Sequence, residues 1–171
     1  MKIISLIIVF FLLTGCLGMP NSVKPISNFD VNKYKGKWYE IARLDHSFER
    51  GLSRVTAQYT VKDDGSVLVI NRGFSDNENK WTEAEGKAYF VNENTEGYLK
   101  VSFFGPFYGS YVIFELEREN YQYAFVSGPN VDYLWLLSKT PTVKPEIIEK
   151  FILMSKERGF NTNNLIFVSQ K

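Results

Sequence analysis

The chain has 171 residues, a length typical of one domain, and its 20 basic and 19 acidic residues leave a formal net charge of +1. This balance gives no reason to expect a nucleic-acid partner, and we predict none. With one cysteine and one histidine, the chain lacks a disulfide framework and a cysteine-histidine metal centre, so we predict neither a metal nor another cofactor.

The first fifteen residues predict a secretory signal, because Lys2 precedes an almost unbroken apolar run (3–13) and small residues follow. That run is too short to cross a bilayer core of about 30 Å. The residues Leu13-Thr14-Gly15-Cys16 resemble a bacterial lipobox, in which the chain is cut before the cysteine and the thiol is acylated. We therefore expect 1–15 to be removed and Cys16 to be the lipid anchor; the alternative is an incidental free cysteine.

Leu17 follows the cysteine where an aspartate would indicate retention in the inner membrane. We expect a lipid-anchored protein in the outer membrane of a Gram-negative bacterium. The segment 16–28 contains Pro20, Pro25 and several polar residues, so it should form an extended tether that buries little. The folded domain is then 29–171.

A period of two residues begins near Trp38 and continues through most of the domain, which predicts an all-β fold. Asp63-Asp64-Gly65 supplies a hairpin turn, and other breaks contain glycine, asparagine or proline. Eight strands are predicted. The first begins near Trp38, and the other seven lie near 55–61, 67–72, 80–91, 97–104, 110–116, 122–127 and 133–139.

One helix interrupts this pattern near the end of the chain. Pro145 suits its first position, Gly159 suits its stop, and apolar residues recur along one face between them. A last short strand, 165–168, follows. Eight short strands fit either a sandwich or an up-and-down barrel. A closed barrel is favoured weakly, since it removes exposed sheet edges without a disulfide.

The stretch "NFDVNKYKGKWYEIAR" (28–43) resembles the first signature of the lipocalin family, and the similarity extends over nearly all of 29–171. The subgroup it most resembles is the bacterial outer membrane lipoproteins related to apolipoprotein D. The resemblance implies an eight-stranded antiparallel barrel with one C-terminal helix outside. It also implies that Gly36 turns the chain onto the barrel floor and that Trp38 plugs the closed end. Lys139 stands where the family commonly has arginine, and its ammonium group can still contact the Trp38 ring.

In a lipocalin barrel the inward side chains surround one small apolar ligand. The resemblance together with strand alternation predicts a cavity lined by eight residues: Ala57, Tyr59, Val69, Asn71, Val101, Phe103, Tyr133 and Trp135. Alternation from Trp38 also places Glu40 and Ala42 on the inward face.

The loop after the first strand is expected to lie at the open mouth. Phe48 and Leu52 could form a lid, and Arg50 and Arg54 could contact a carboxylate or phosphate head group. The alternative for both arginines is a solvated basic rim.

The function predicted from these residues is non-catalytic binding of fatty acids or lysophospholipids, for storage or transport in membrane maintenance or stress. An enzyme is disfavoured because no Gly-x-Ser-x-Gly elbow is present and the single histidine cannot build a metal site. The alternative is a structural or inhibitory surface protein whose barrel is filled and whose loops bind a macromolecule. A homodimer is left open.

Overall fold

A computed structural model describes residues 17–171. The predicted leader and the candidate anchor Cys16 lie outside the described residues. In the part of the chain that is described, no helix has both the length and the apolar character needed to span a membrane.

The described chain forms nine strands, two α-helices and one short 3-10 helix, with bounds close to those predicted. In chain order they are α1 (Val31–Tyr34), β1 (Gly36–Arg43), β2 (Leu52–Val61), β3 (Val67–Ser75), β4 (Lys80–Phe90), β5 (Tyr98–Phe104), β6 (Phe107–Leu116), β7 (Tyr123–Ser127), β8 (Leu134–Ser138), α2 (Pro145–Glu157), the 3-10 turn (Thr162–Asn164) and β9 (Ile166–Phe167).

The first eight strands close into an antiparallel barrel, as predicted. Each strand pairs with the next, and β1 pairs with both β2 and β8, so the sheet has no open edge between its first and last strands. The connections 44–51, 76–79, 105–106 and 128–133 lie at one end, called here the mouth. The connections 62–66, 91–97 and 117–122 lie at the other, closed end together with α1.

Apolar residues form two cores, one on each face of the sheet. The inner core fills the closed end of the barrel around Trp38, which is fully buried. The outer core lies under α2, where Phe151 is fully buried and packs edge-on against Phe125 of β7 at 5.0 Å between ring centroids. The helix begins with Pro145, and Gly159 follows it with φ of +84°, as the stop signal predicted.

The expected inward position of Ala42 is wrong. The pairing of β1 with β8 shifts register between Glu40 and Ala42, which marks a bulge. Because a bulge inserts one extra residue, it exchanges the two faces of the strand beyond it. Ala42 therefore belongs to the outer core, and the buried side chain that contacts Glu40 is that of Arg43.

The expectation of a tether that buries little is wrong at two positions within 17–28. Val23 is 3% exposed and Ile26 is 7% exposed, and they belong to the outer and inner cores respectively. The backbone N–H of Ile26 donates to the carbonyl of Ile113 at 2.9 Å. Two apolar side chains and backbone pairing therefore attach this segment to the barrel wall, and residues 18–28 are called the strap below.

Candidate ligand-binding site

Side chains leave a cavity of about 1020 Å³ inside the barrel, between the closed end and the mouth. This volume lies at the upper end of the range for small-molecule sites. All eight residues predicted to line the cavity do so: Ala57, Tyr59, Val69, Asn71, Val101, Phe103, Tyr133 and Trp135. The wall is mainly aliphatic and aromatic because strand alternation turns these side chains inward.

The floor is built from the three predicted residues. Gly36 has φ of +100°, a left-handed conformation that favours glycine, and it turns the chain from α1 into β1. The Trp38 indole N–H donates to the carbonyl of Tyr34 at 2.7 Å. Lys139 Nζ lies 4.3 Å from the Trp38 ring centroid and donates to the carbonyls of Tyr34 and Lys35. Partial burial lowers the pKa of Lys139 to about 8.

Three tyrosine hydroxyls form a chain near the bottom of the cavity. Tyr111 Oη lies 2.7 Å from Tyr34 Oη and 2.9 Å from Tyr59 Oη, and all three residues line the cavity. Burial raises the pKa of each hydroxyl, so all three keep their protons at neutral pH. Two bonds between three hydroxyls use two protons, which leaves one O–H to donate to another group.

Asn71 places a second polar group on the cavity wall, next to Ala57 on the neighbouring strand. Its Oδ1 is buried and has no hydrogen-bond partner in the protein. A buried amide oxygen normally has a partner, so this atom offers an acceptor to whatever enters the cavity.

A buried charged cluster lies on the mouth side of the floor. Arg43 Nη1 donates to Glu40 Oε1 at 2.6 Å, and its Nη2 donates to the carbonyl of Glu49 at 2.8 Å. Glu49 Oε2 accepts from the Trp135 indole at 3.1 Å and lies 2.9 Å from His46 Nε2. Glu40 is therefore the ion-pair partner of a base, and both carboxylates also line the cavity.

The two carboxylates of this cluster have pKa values that move in opposite directions. Burial and the nearby charge of Glu49 raise the pKa of Glu40 well above its usual range, against the lowering effect of Arg43. Burial also raises the pKa of Glu49, but contacts with His46, Trp135 and Arg43 outweigh it, so the net shift is downward. A proton taken up by this pair therefore goes to Glu40.

The mouth residues take three different positions. Phe48 lines the cavity, stays 59% exposed, and stacks on His46 at 4.0 Å between ring centroids. Arg50 also lines the mouth and pairs with Asp45 at 2.7 Å. Arg54 differs from the prediction, because the register of β2 shifts around it and its guanidinium lies on the outer face, 3.8 Å from the Phe74 ring centroid.

Sequence reasoning missed Tyr34, Tyr111 and the cluster of Arg43, His46 and Glu49. Alternation along β6 could have placed Tyr111 inside together with Ile113. Nothing in the local sequence marks the bulge that turns Arg43 inward.

Comparison with known proteins gives results consistent with this geometry. The model of the family described as "Lipocalin-like domain" matches residues 29–170. The "Outer membrane lipoprotein Blc" of Vibrio cholerae serotype O1 is 70% identical over 171 residues, which cover 100% of both chains. Apolipoprotein D of Rattus norvegicus is 33% identical over 138 residues, covering 76% of this chain and 72% of the relative. The solved structure of insecticyanin from the tobacco hornworm Manduca sexta matches with a TM-score of 0.69 at 21% identity, covering 89% of this chain and 86% of that one.

Proposed function

This chain belongs to the lipocalin family, and from that premise we propose that its barrel binds the acyl chain of a fatty acid or lysophospholipid without chemical change. Like its Vibrio relative, it is an outer membrane lipoprotein. The proposed role is the storage or transport of lipids in membrane maintenance or stress, with Cys16 as the acylated residue.

The cavity is the observation that carries this proposal. The lining of the cavity extends from Tyr59 near the floor to Phe48 at the mouth, and apolar side chains form most of its wall. Burying about a dozen methylenes at about 0.8 kcal/mol each gives a gross gain near 10 kcal/mol. Lost ligand freedom reduces this gain substantially, so we expect micromolar affinity.

The polar groups of the cavity fit a ligand with a polar end. The tyrosine chain has one proton to donate, and Asn71 has a buried oxygen without a protein partner. A carboxylate of the ligand accepts a hydrogen bond from the tyrosine chain, and a hydroxyl or ammonium group of the ligand donates one to the Asn71 oxygen. A cavity of this size also counts against the alternative of a filled barrel that acts only through its loops.

A cavity-filling variant with a matched control on the same strand tests the proposal. Ala57→Phe adds a ring to the inward face of β2, whereas Gln58→Phe adds the same ring to the exposed outward face. Isothermal titration with palmitate and with a lysophospholipid measures affinity, and chromatography of the recovered ligand checks that it is unchanged. We expect a loss of affinity of at least tenfold for Ala57→Phe and no loss for Gln58→Phe.

Two results contradict the proposal. Saturable binding that both variants retain equally places the ligand outside the barrel. Recovery of a hydrolysed or oxidised ligand shows that the protein is an enzyme.

A further inference from the structure

The strap fixes the place on the barrel wall where the described chain begins. Its backbone pairs with β6, because the N–H of Ile26 donates to the carbonyl of Ile113 at 2.9 Å. Near its start the N–H of Gly18 donates to Ser110 Oγ, on the same strand, at 2.9 Å. The strap therefore follows β6 on the outside of the barrel and ends beside Ser110.

The candidate anchor can lie only a short distance from this point. Leu17 is the one residue between Gly18 and Cys16, and two residue steps span at most about 7 Å. A chain acylated at Cys16 thus has little slack between the bilayer and the wall of the barrel. The surface next to Ser110 is the surface that such an anchor holds close to lipid.

Two lysines and two tyrosines form one network on the outer faces of β4, β5 and β6 beside this point. They are Lys87, Tyr89, Lys100 and Tyr108, called here the lysine–tyrosine face. Lys87 Nζ lies 5.5 Å from the Tyr89 ring centroid, and Lys100 Nζ lies 5.3 Å from that of Tyr108. The two ring centroids are 6.3 Å apart. Lys100 is also the cross-strand partner of Ser110, so the face adjoins the residue that holds the strap.

These two residue types suit the headgroup region of a bilayer. A tyrosine ring has an apolar body and a polar tip, and a lysine lays its stem on apolar surface while its ammonium group stays among polar groups. A lysine near an anionic membrane is attracted to it over about one Debye length, which is about 8 Å at physiological salt. Two lysines alone bind a membrane weakly. An acyl anchor makes the contact intramolecular, so that a weak attraction is enough to orient the barrel.

We propose that the lysine–tyrosine face docks on the lipid phosphates of the bilayer that holds the anchor, so that the side wall formed by β4, β5 and β6 lies against the membrane. The proposal rests on the proposed acylation of Cys16 and is independent of the ligand in the cavity. The face has net positive charge to offer, because Lys87 has only Asp64 near it, at 3.6 Å, and Lys100 forms no ion pair within residues 17–171.

Site-directed spin labels test the position of this wall. Ser102 is the cross-strand partner of Lys87 and is half-buried, so Ser102→Cys puts a label within the face and keeps its four residues. Leu153→Cys, at a 59% exposed position of α2, is the control label. The chain has a single cysteine, so the introduced thiol alone reacts once Cys16 is acylated. Each full chain is exported and acylated in a Gram-negative host, checked by mass spectrometry, labelled, and reconstituted into phosphatidylethanolamine–phosphatidylglycerol vesicles.

Two pairs of charge reversals test the lysines. Lys87→Glu with Lys100→Glu reverses the face. Lys33→Glu with Lys37→Glu is the matched control at the closed end, where both lysines are exposed and lie over tyrosine rings at 5.8 and 4.7 Å. Circular dichroism checks that both double variants fold like the parent.

We expect the accessibility of the Ser102 label to a water-soluble nickel complex to rise at least about threefold in 1 M NaCl, which screens the lysines, and equally in the Lys87→Glu, Lys100→Glu variant. The closed-end pair should leave it at the parent value, and salt should not change the Leu153 label. Each label is compared with itself, so local burial does not enter the comparison.

Three results overturn the proposal. The first is a Ser102 label whose accessibility does not change with salt, and the second is a rise caused by the closed-end pair, which places the bilayer there. The third is dipolar broadening of the protected Ser102 label, because a second copy of the chain then covers the face. An unacylated Cys16 refutes the anchor and the docking together, whereas any of the three results on an acylated chain refutes only the docking.

Discussion

Replacing Arg43 by methionine tests the account of the buried charged cluster. The Arg43 side chain is 2% exposed, and its guanidinium is 2.6 Å from Glu40 Oε1. The substitution keeps the unbranched stem but leaves Glu40 buried without its counter-charge, whereas Glu49 keeps its contacts with His46 and Trp135. Removing one partner of a buried ion pair costs about 3–5 kcal/mol. With a urea m-value of about 2 kcal/mol/M, the unfolding midpoint should fall by about 2 M.

The free energy of unfolding that Arg43→Met loses should depend on pH, because the pKa of Glu40 depends on its contacts in the cluster. The pKa of Glu40 is raised in the folded protein, whereas an unfolded glutamate titrates near 4.3. The folded state therefore binds the extra proton at Glu40. The contribution of Glu40 to the free energy of unfolding is fully present below about pH 4.3 and is lost as pH rises through the folded pKa. Loss of Arg43 raises that pKa further, so the destabilisation by Arg43→Met should be larger at pH 8 than at pH 5.

Urea unfolding followed by circular dichroism at both pH values measures these effects. Glu40→Gln in the Arg43→Met background removes the orphaned carboxylate, and it should recover at least about half of the lost stability and abolish the pH difference. A cost below about 1 kcal/mol that is equal at pH 5 and pH 8, or no recovery by Glu40→Gln, would refute the reasoning.

Three further predictions concern the floor and the tyrosine chain. Trp38→Phe should lower the free energy of unfolding by about 2 kcal/mol, because it removes a hydrogen bond and fully buried volume. Trp81→Phe, at a 45% exposed position, should lower it by less than about 1 kcal/mol. Equal losses in the two variants would contradict the role of Trp38 as the plug of the barrel. Tyr111→Phe removes the central hydroxyl of the chain and should cost about 2 kcal/mol in thermal unfolding, and an unchanged melting temperature would count against the two hydrogen bonds. Burial lowers the pKa of Lys139 to about 8, whereas an unfolded lysine titrates near 10.4. As pH rises between these values, the free energy of unfolding of the parent should therefore increase relative to that of Lys139→Met. A difference that stays constant with pH would show that Lys139 titrates normally.

Local patterns predicted the barrel well because its strands are regular over most of their length. Alternation along β2 and β3 placed Tyr59, Val69 and Asn71 inside, and the pairing of these strands keeps that register from Thr56 to Val61. The signature around Gly36 and Trp38 predicted the floor. Few residue types other than glycine adopt the left-handed turn at position 36, and few others fill the buried site that the Trp38 indole occupies.

The same reasoning failed wherever the outcome depends on distant segments. The β1 bulge arises from pairing with β8, so the sequence of β1 alone could not show that Ala42 turns outward and Arg43 inward. The strap is polar and proline-containing, yet Val23 and Ile26 are buried because grooves on the barrel receive them. Ile26 also needs Gly97, where a Cβ would lie 2.6 Å from its Cγ1. The tyrosine chain brings together three elements that no local pattern connects.

A crystal structure of the protein grown with palmitate tests the central claim most directly. The account predicts an acyl chain along the wall formed by Val69 and Val101, with its carboxylate accepting from the tyrosine hydroxyls or lying at the mouth beside Phe48. Palmitate bound only on the outer surface, with the side chains collapsed into the barrel, would contradict it.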